Sequence, residues 1–106
     1  MSAEPVPFDE PEPISRTLPH DVDAERSVLG AMMLDRQALV DCQETLRATD
    51  FYRPAHETIF EAICRLDAHG QRVDPITVFD ELRRTGDGSR IGGAPYLHQL
   101  VSDLPT

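Results

Sequence analysis

Along most of this chain apolar residues return every third or fourth position, and each run is bracketed by its own start and stop residues. This pattern constrains the fold more than any other feature. A period near 3.6 buries one stripe of a helix, whereas a half-buried strand needs strict alternation. The clearest case runs from Asp74-Pro75 to Gly86. Asp suits the residue that caps a helix, and Pro suits the first helical position, where its missing N–H is not needed. Ile76, Phe79 and Leu82 then supply a buried stripe to about Arg84. Arg83 and Arg84 fall in the last turn, where the helix dipole favours cations, and Gly86 ends the helix. The same Asp74-Pro75 pair argues against reading Val73–Val78 as a strand.

Four more helices follow from the same logic. After Leu18-Pro19-His20, Asp21 is read as an N-cap, with Asp23 and Glu25 as first-turn acids. Leu29, Met32 and Met33 give the stripe of a helix from about 22 to 34. Gly30 within it weakens the helix relative to Ala but would let a neighbour approach closely. Asp35 caps a second helix, about 36 to 47, with the stripe Leu39, Cys42 and Leu46. Phe51 and Tyr52 lie in the connection and are expected to plug the bundle. A third helix starts near Pro54, buries Ile59, Phe60, Ile63, Cys64 and Leu66, and stops at a left-handed Gly70. Residues 86–93 form a loop anchored by Ile91. Tyr96, Leu97, Leu100, Val101 and Leu104 belong to a fifth, short helix.

The expected fold is therefore all-α, a compact bundle of about five short helices over 18–106. The expected core is Leu29, Met33, Leu39, Leu46, Phe51, Ile59, Phe60, Ile63, Leu66, Phe79, Leu82, Leu97 and Leu100. Residues 1–17 alternate prolines with acids and have no apolar period, so a disordered tail is expected there.

Composition excludes several functions. The net charge is −9, and all ten basic residues are Arg. The one adjacent basic pair is Arg83-Arg84, so direct, tight DNA binding is not expected. A phosphate-binding Walker loop needs a Lys after its glycines, and the chain has none. Gly86, Gly88, Gly92 and Gly93 are read as turn residues, and no nucleotide cofactor is expected. His20, His56, His69 and His98 show no i, i+4 pair and the cysteines no Cys-x-x-Cys, so neither a metal site nor a catalytic residue is assigned. Each histidine is read as a surface or cap residue. Cys42 and Cys64 are read as small apolar core residues. No apolar run approaches the roughly 20 residues of a membrane span, and no secretory signal is present. A cytoplasmic protein is expected, either an interaction module or a stand-alone acidic regulator or DNA mimic.

Leu18-Pro19-His20 with Asp23-Ala24-Glu25-Arg26-Ser27-Val28-Leu29-Gly30 resembles the opening of the DnaB-type replicative helicase N-terminal domain, with Arg26 in place of the commoner Gln. Asp50-Phe51-Tyr52-Arg53-Pro54-Ala55-His56, then Ile59-Phe60, Asp74, Ile76-Thr77-Val78 and Leu82, and Gly92-Gly93-Ala94-Pro95-Tyr96-Leu97 with Leu100 continue the resemblance, which reaches Pro105-Thr106. The resemblance implies a collar domain that binds helicase protomers and primase. ATP, Mg and DNA unwinding would belong to a separate C-terminal motor. Family members continue past Pro-Thr into a helical hairpin that makes the main dimer contact. Without it, a monomer or weak dimer is expected. Tyr96, Gly92 and Gly93 are candidate partner contacts, Tyr96 alternatively closing the bundle beneath the fifth helix.

Overall fold

The computed structural model describes the backbone of residues 19–104 and side chains from Val22 onward. Five α-helices follow one another: α1 Pro19–Leu34, α2 Arg36–Thr45, α3 Pro54–Ala68, α4 Pro75–Thr85 and α5 Gly93–Ser102. Short 3-10 turns, Ala48–Asp50 and Ser89–Ile91, join α2 to α3 and α4 to α5. There is no strand among the described residues. The expected tail over 1–17 lies outside the described residues.

The helix ends are held as their residue types dictate. Asp35 is extended, and its carboxylate accepts the Gln37 N–H at 3.0 Å. Asp74 and Thr77 form a reciprocal box. The Thr77 N–H donates to Asp74 Oδ1 at 2.9 Å, and the Asp74 N–H to Thr77 Oγ1 at 3.0 Å. Past α4, Gly86 is left-handed, and the Asp87 N–H closes on the Leu82 carbonyl at 2.7 Å. Gly70 is likewise left-handed beyond α3.

One start and two stops differ from expectation, the later stop being that of α5, which ends at Ser102 and leaves Leu104 outside the helix. α1 begins at Pro19, so Asp21 lies inside its first turn and is not the cap. A proline at the first helical position accounts for the earlier start. α2 ends at Thr45, and Leu46 is extended and half-buried rather than part of the stripe.

The core centres on α3, which buries Ile59, Phe60, Ala62, Ile63 and Leu66. α1 packs on α2, α3 and α5, and α4 packs on α3 and α5. Leu29, Met32, Met33, Leu39, Ile91, Leu97 and Leu100 complete the interior with Phe51, whose ring lies 5.0 Å from that of Phe60. Tyr52, expected beside Phe51, is 55% exposed instead. On α4 the buried pair is Val78 and Leu82, Phe79 is half-buried, and Ile76 is 65% exposed. At about 100° per residue, Ile76 points about 120° away from Leu82, whereas Val78 lies only about 40° from it.

Gly30 has the role its position suggested. A Cβ there would meet the Leu100 backbone carbonyl oxygen at 2.4 Å. α1 and α5 can cross this closely only because residue 30 has no side chain.

Candidate functional site

On three helices, a polar residue stands one turn ahead of the apolar stripe. Glu25 precedes Leu29 by four positions, His56 precedes Phe60 and Tyr96 precedes Leu100. Residues at i and i+4 share a helix face, so each of these three is aimed inward with its stripe. Where α1, α3 and α5 meet, the three form one hydrogen-bond chain. Glu25 Oε1 lies 2.7 Å from His56 Nδ1, and Tyr96 OH lies 2.6 Å from His56 Nε2. His56 is 0% exposed and Glu25 only 9%.

Glu25 does a second job. The Tyr52 N–H donates to its Oε2 at 2.5 Å, and the Arg53 N–H approaches Oε1 at 3.4 Å. Arg53 is the N-cap of α3 and makes no side-chain cap of its own. A carboxylate from α1 therefore satisfies backbone donors ahead of α3, at the helix end where negative charge is favoured.

The chemistry of the groups fixes where the protons sit. A carboxylate only accepts, so His56 Nδ1 carries the hydrogen. Nε2 of a neutral ring is then an acceptor, and the Tyr96 hydroxyl donates to it. Burial pushes the His56 pKa below its ordinary value, with Arg53 and Arg26 acting in the same direction and Glu25 against them. Burial also pushes the Tyr96 phenol up, which keeps its donor hydrogen in place.

Around this chain, Tyr96 is half-buried, with its ring near parallel to that of His56 at 5.9 Å. The Arg26 guanidinium lies 5.8 Å over the Tyr96 ring and also pairs with Asp103 just beyond α5. Gly92 and Gly93 are both left-handed, with φ of 102° and 75°. A Cβ at Gly92 would crowd that of Tyr96 at 3.1 Å. The two glycines thus set the turn that aims Tyr96 at His56, and Gly92 itself is exposed. The ring is half-buried against His56, and its remaining surface is open to solvent.

Sequence reasoning missed Glu25 and His56 as members of a site. Glu25 was expected to act as a first-turn charge and His56 as a surface or cap residue, and burial overturns the reading of His56. The spacing to the apolar stripes was the available signal. His69 is an exposed C-cap whose Nδ1 lies 2.8 Å from the Arg65 carbonyl oxygen, and His98 is exposed. Cys42 and Cys64 are free, half-buried thiols whose pKa values are raised, chiefly by burial.

The arrangement resembles a carboxylate–imidazole–hydroxyl relay, but both ring nitrogens of His56 are engaged and the ring is closed to solvent. A phenol whose proton is held more tightly than usual is also a poor nucleophile. The geometry is that of a structural lock. Among the described residues, no group of three or more His, Cys, Asp or Glu side chains is placed to hold a metal ion.

Three of the sequence stretches that carry the family resemblance meet here. Comparison with known proteins agrees. The profile of the DnaB-like helicase N terminal domain family matches residues 17–106. The replicative DNA helicase DnaB of Leifsonia xyli is 53% identical over 91 residues, which is 86% of this chain and 20% of that protein. The Mycobacterium leprae protein of the same name is 50% identical over 95 residues, 90% of this chain and 16% of its own length. The chain thus spans about a fifth or less of these relatives. The crystal structure of the N-terminal domain of DnaB helicase from Mycobacterium tuberculosis superposes with a TM-score of 0.79 at 52% identity, covering 81% of this chain and 62% of that one. An acidic helical chain whose three motifs lock together through Glu25, His56 and Tyr96 belongs to the family of DnaB-like helicase N-terminal domains.

Proposed function

We propose that this domain is the protein-contact collar of a replicative helicase. It contacts neighbouring helicase protomers and receives primase, while ATP hydrolysis with Mg and strand separation reside in a motor domain. The observation that carries this reading is the family match over 17–106. Two features support it. The net charge of −9 with Arg as the only cation disfavours a DNA-binding role, and the lack of Lys leaves no phosphate-loop residue. A cytoplasmic location goes with the same reading. No helix among the described residues is long and apolar enough to cross a membrane.

The test is calorimetric titration of the chain with purified primase and with motor-bearing helicase protomers, beside anisotropy with labelled duplex and single-stranded DNA. Saturable binding to primase or helicase, with no DNA binding at moderate salt, supports the collar. Tight DNA binding, or failure with both protein partners, overturns it. In a pull-down, capture of DNA-binding proteins that added DNA releases would instead support an acidic DNA mimic.

A further inference from the structure

The Glu25–His56–Tyr96 chain is built so that each proton has one place, and it joins helices from opposite ends of the described chain. We propose that it is a proton-operated clasp: α5 stays seated on α1, with Tyr96 fastened to His56 of α3, while the His56 ring holds one proton, and the seat loosens when the ring takes up a second.

The argument rests on the geometry. The Tyr96 hydroxyl can donate to Nε2 only while that nitrogen keeps its lone pair. A second ring proton turns Nε2 into a donor. The Tyr96 oxygen must then accept, and its own hydrogen loses its partner in a partly buried place, where an unmade hydrogen bond carries a cost. The charged and titratable groups facing the ring are Glu25 and Arg26 from α1, Arg53 from the segment entering α3, and Tyr96 from α5. Two guanidinium groups oppose the second proton. The one carboxylate that favours it is already shared with the Tyr52 and Arg53 N–H groups. Asp103 is occupied with Arg26.

Burial opposes the charge as well, and the lowered pKa of His56 agrees with this sum. A state that opens the seat of α5 lets water reach the ring and binds the proton more readily. Acid therefore shifts the balance toward that state, and the shift begins as pH falls below about 6.5, the ordinary value for histidine.

Native-state hydrogen exchange on the full chain tests this at pH 7.5 and pH 5.0, corrected for intrinsic exchange. The Leu97, Leu100 and Val101 amides of α5 should lose roughly tenfold in protection while Ile63 and Leu66 of α3 change little. Unchanged α5 protection, or an equal loss in both helices, overturns the proposal. Tyr96→Phe keeps the ring and removes the hydroxyl. It should show weakened α5 protection already at pH 7.5 and a reduced response to acid. A Phe variant with full wild-type protection and response also overturns it. If that variant fails to fold, ring nitrogen shifts of wild-type His56 decide. The ring should be neutral and protonated on Nδ1 at pH 7.5, and should gain its second proton over the interval in which α5 loosens. Titration without loosening, or a doubly protonated ring at pH 7.5, counts against the clasp.

Discussion

The join between α3 and α4 and the join between α1 and α5 are made by opposite means. Between α3 and α4 the chain turns at left-handed Gly70, and the Asp74–Thr77 box restarts it. At the rim Glu81 accepts from Arg65 Nε at 2.6 Å and from Arg84 Nη2 at 2.6 Å, which holds its carboxyl at a pKa of about 2. Most of these contacts span three residues, and the longest, Arg65 to Glu81, spans 16. Between α1 and α5, Arg26 reaches Asp103, the Gly30 gap admits the Leu100 backbone, and His56 bridges Glu25 to Tyr96. These partners are tens of residues apart, they are mostly buried, and each depends on the others. A join of local devices should degrade gradually when one is removed. A join of buried, mutually dependent groups should fail at any single point.

Substitutions can break or sharpen that contrast. The largest effect is expected for His56→Ala, which removes a fully buried ring, deprives Glu25 of one of its donors and leaves the half-buried Tyr96 hydroxyl without its acceptor. A loss of about 3–5 kcal/mol in urea unfolding is expected, from the cavity left by the ring together with the unmade hydrogen bonds. Next comes Gly30→Ala. In an exposed helix interior this exchange would stabilise by about 1 kcal/mol. Here the new Cβ strikes backbone rather than a flexible side chain, so the sign reverses, with a cost of about 2–3 kcal/mol. A neutral or stabilising Gly30→Ala would show that the α1–α5 crossing is looser than described. Asp74→Ala on the local side should cost about 1 kcal/mol, the usual worth of an N-cap. Glu81→Gln should cost less, about 0.5–1 kcal/mol, because both arginine partners are partly exposed and screened.

The pH dependence separates the two joins in the same way. The folded pKa of His56 lies below the unfolded one, so its contribution is complete above about 6.5 and is lost as pH falls below that value. It levels off once pH passes below the folded pKa. Glu81, lowered from 4.5 to about 2, contributes fully above about 4.5 and loses its contribution only as pH falls toward about 2. The urea midpoint should therefore drop first between pH 7.5 and pH 5.5, through the α1–α5 join. A midpoint flat over that interval would contradict the histidine assignment.

The sequence by itself determined the all-α class, the number of helices and most of their ends. Asp35, Gly70, Asp74, Pro75 and Gly86 act within one turn of themselves, so no distant partner is needed to read them. It also determined most of the core, since periodicity marks one face of each helix, and it placed Gly30 correctly as a point of close approach. The tertiary structure decided what periodicity leaves open. On α4 it buried Val78 in place of Ile76, because the direction of a stripe is settled by the helix it packs on. It also turned Glu25 and His56 from expected helix-end and surface groups into the centre of the site. A carboxylate or an imidazole can stay inside only where its partner is already waiting. For Glu25 that partner is 31 residues away, and for His56 the next is 40 residues further. Nothing local to either residue specifies that meeting; the packing of α1 on both α3 and α5 does.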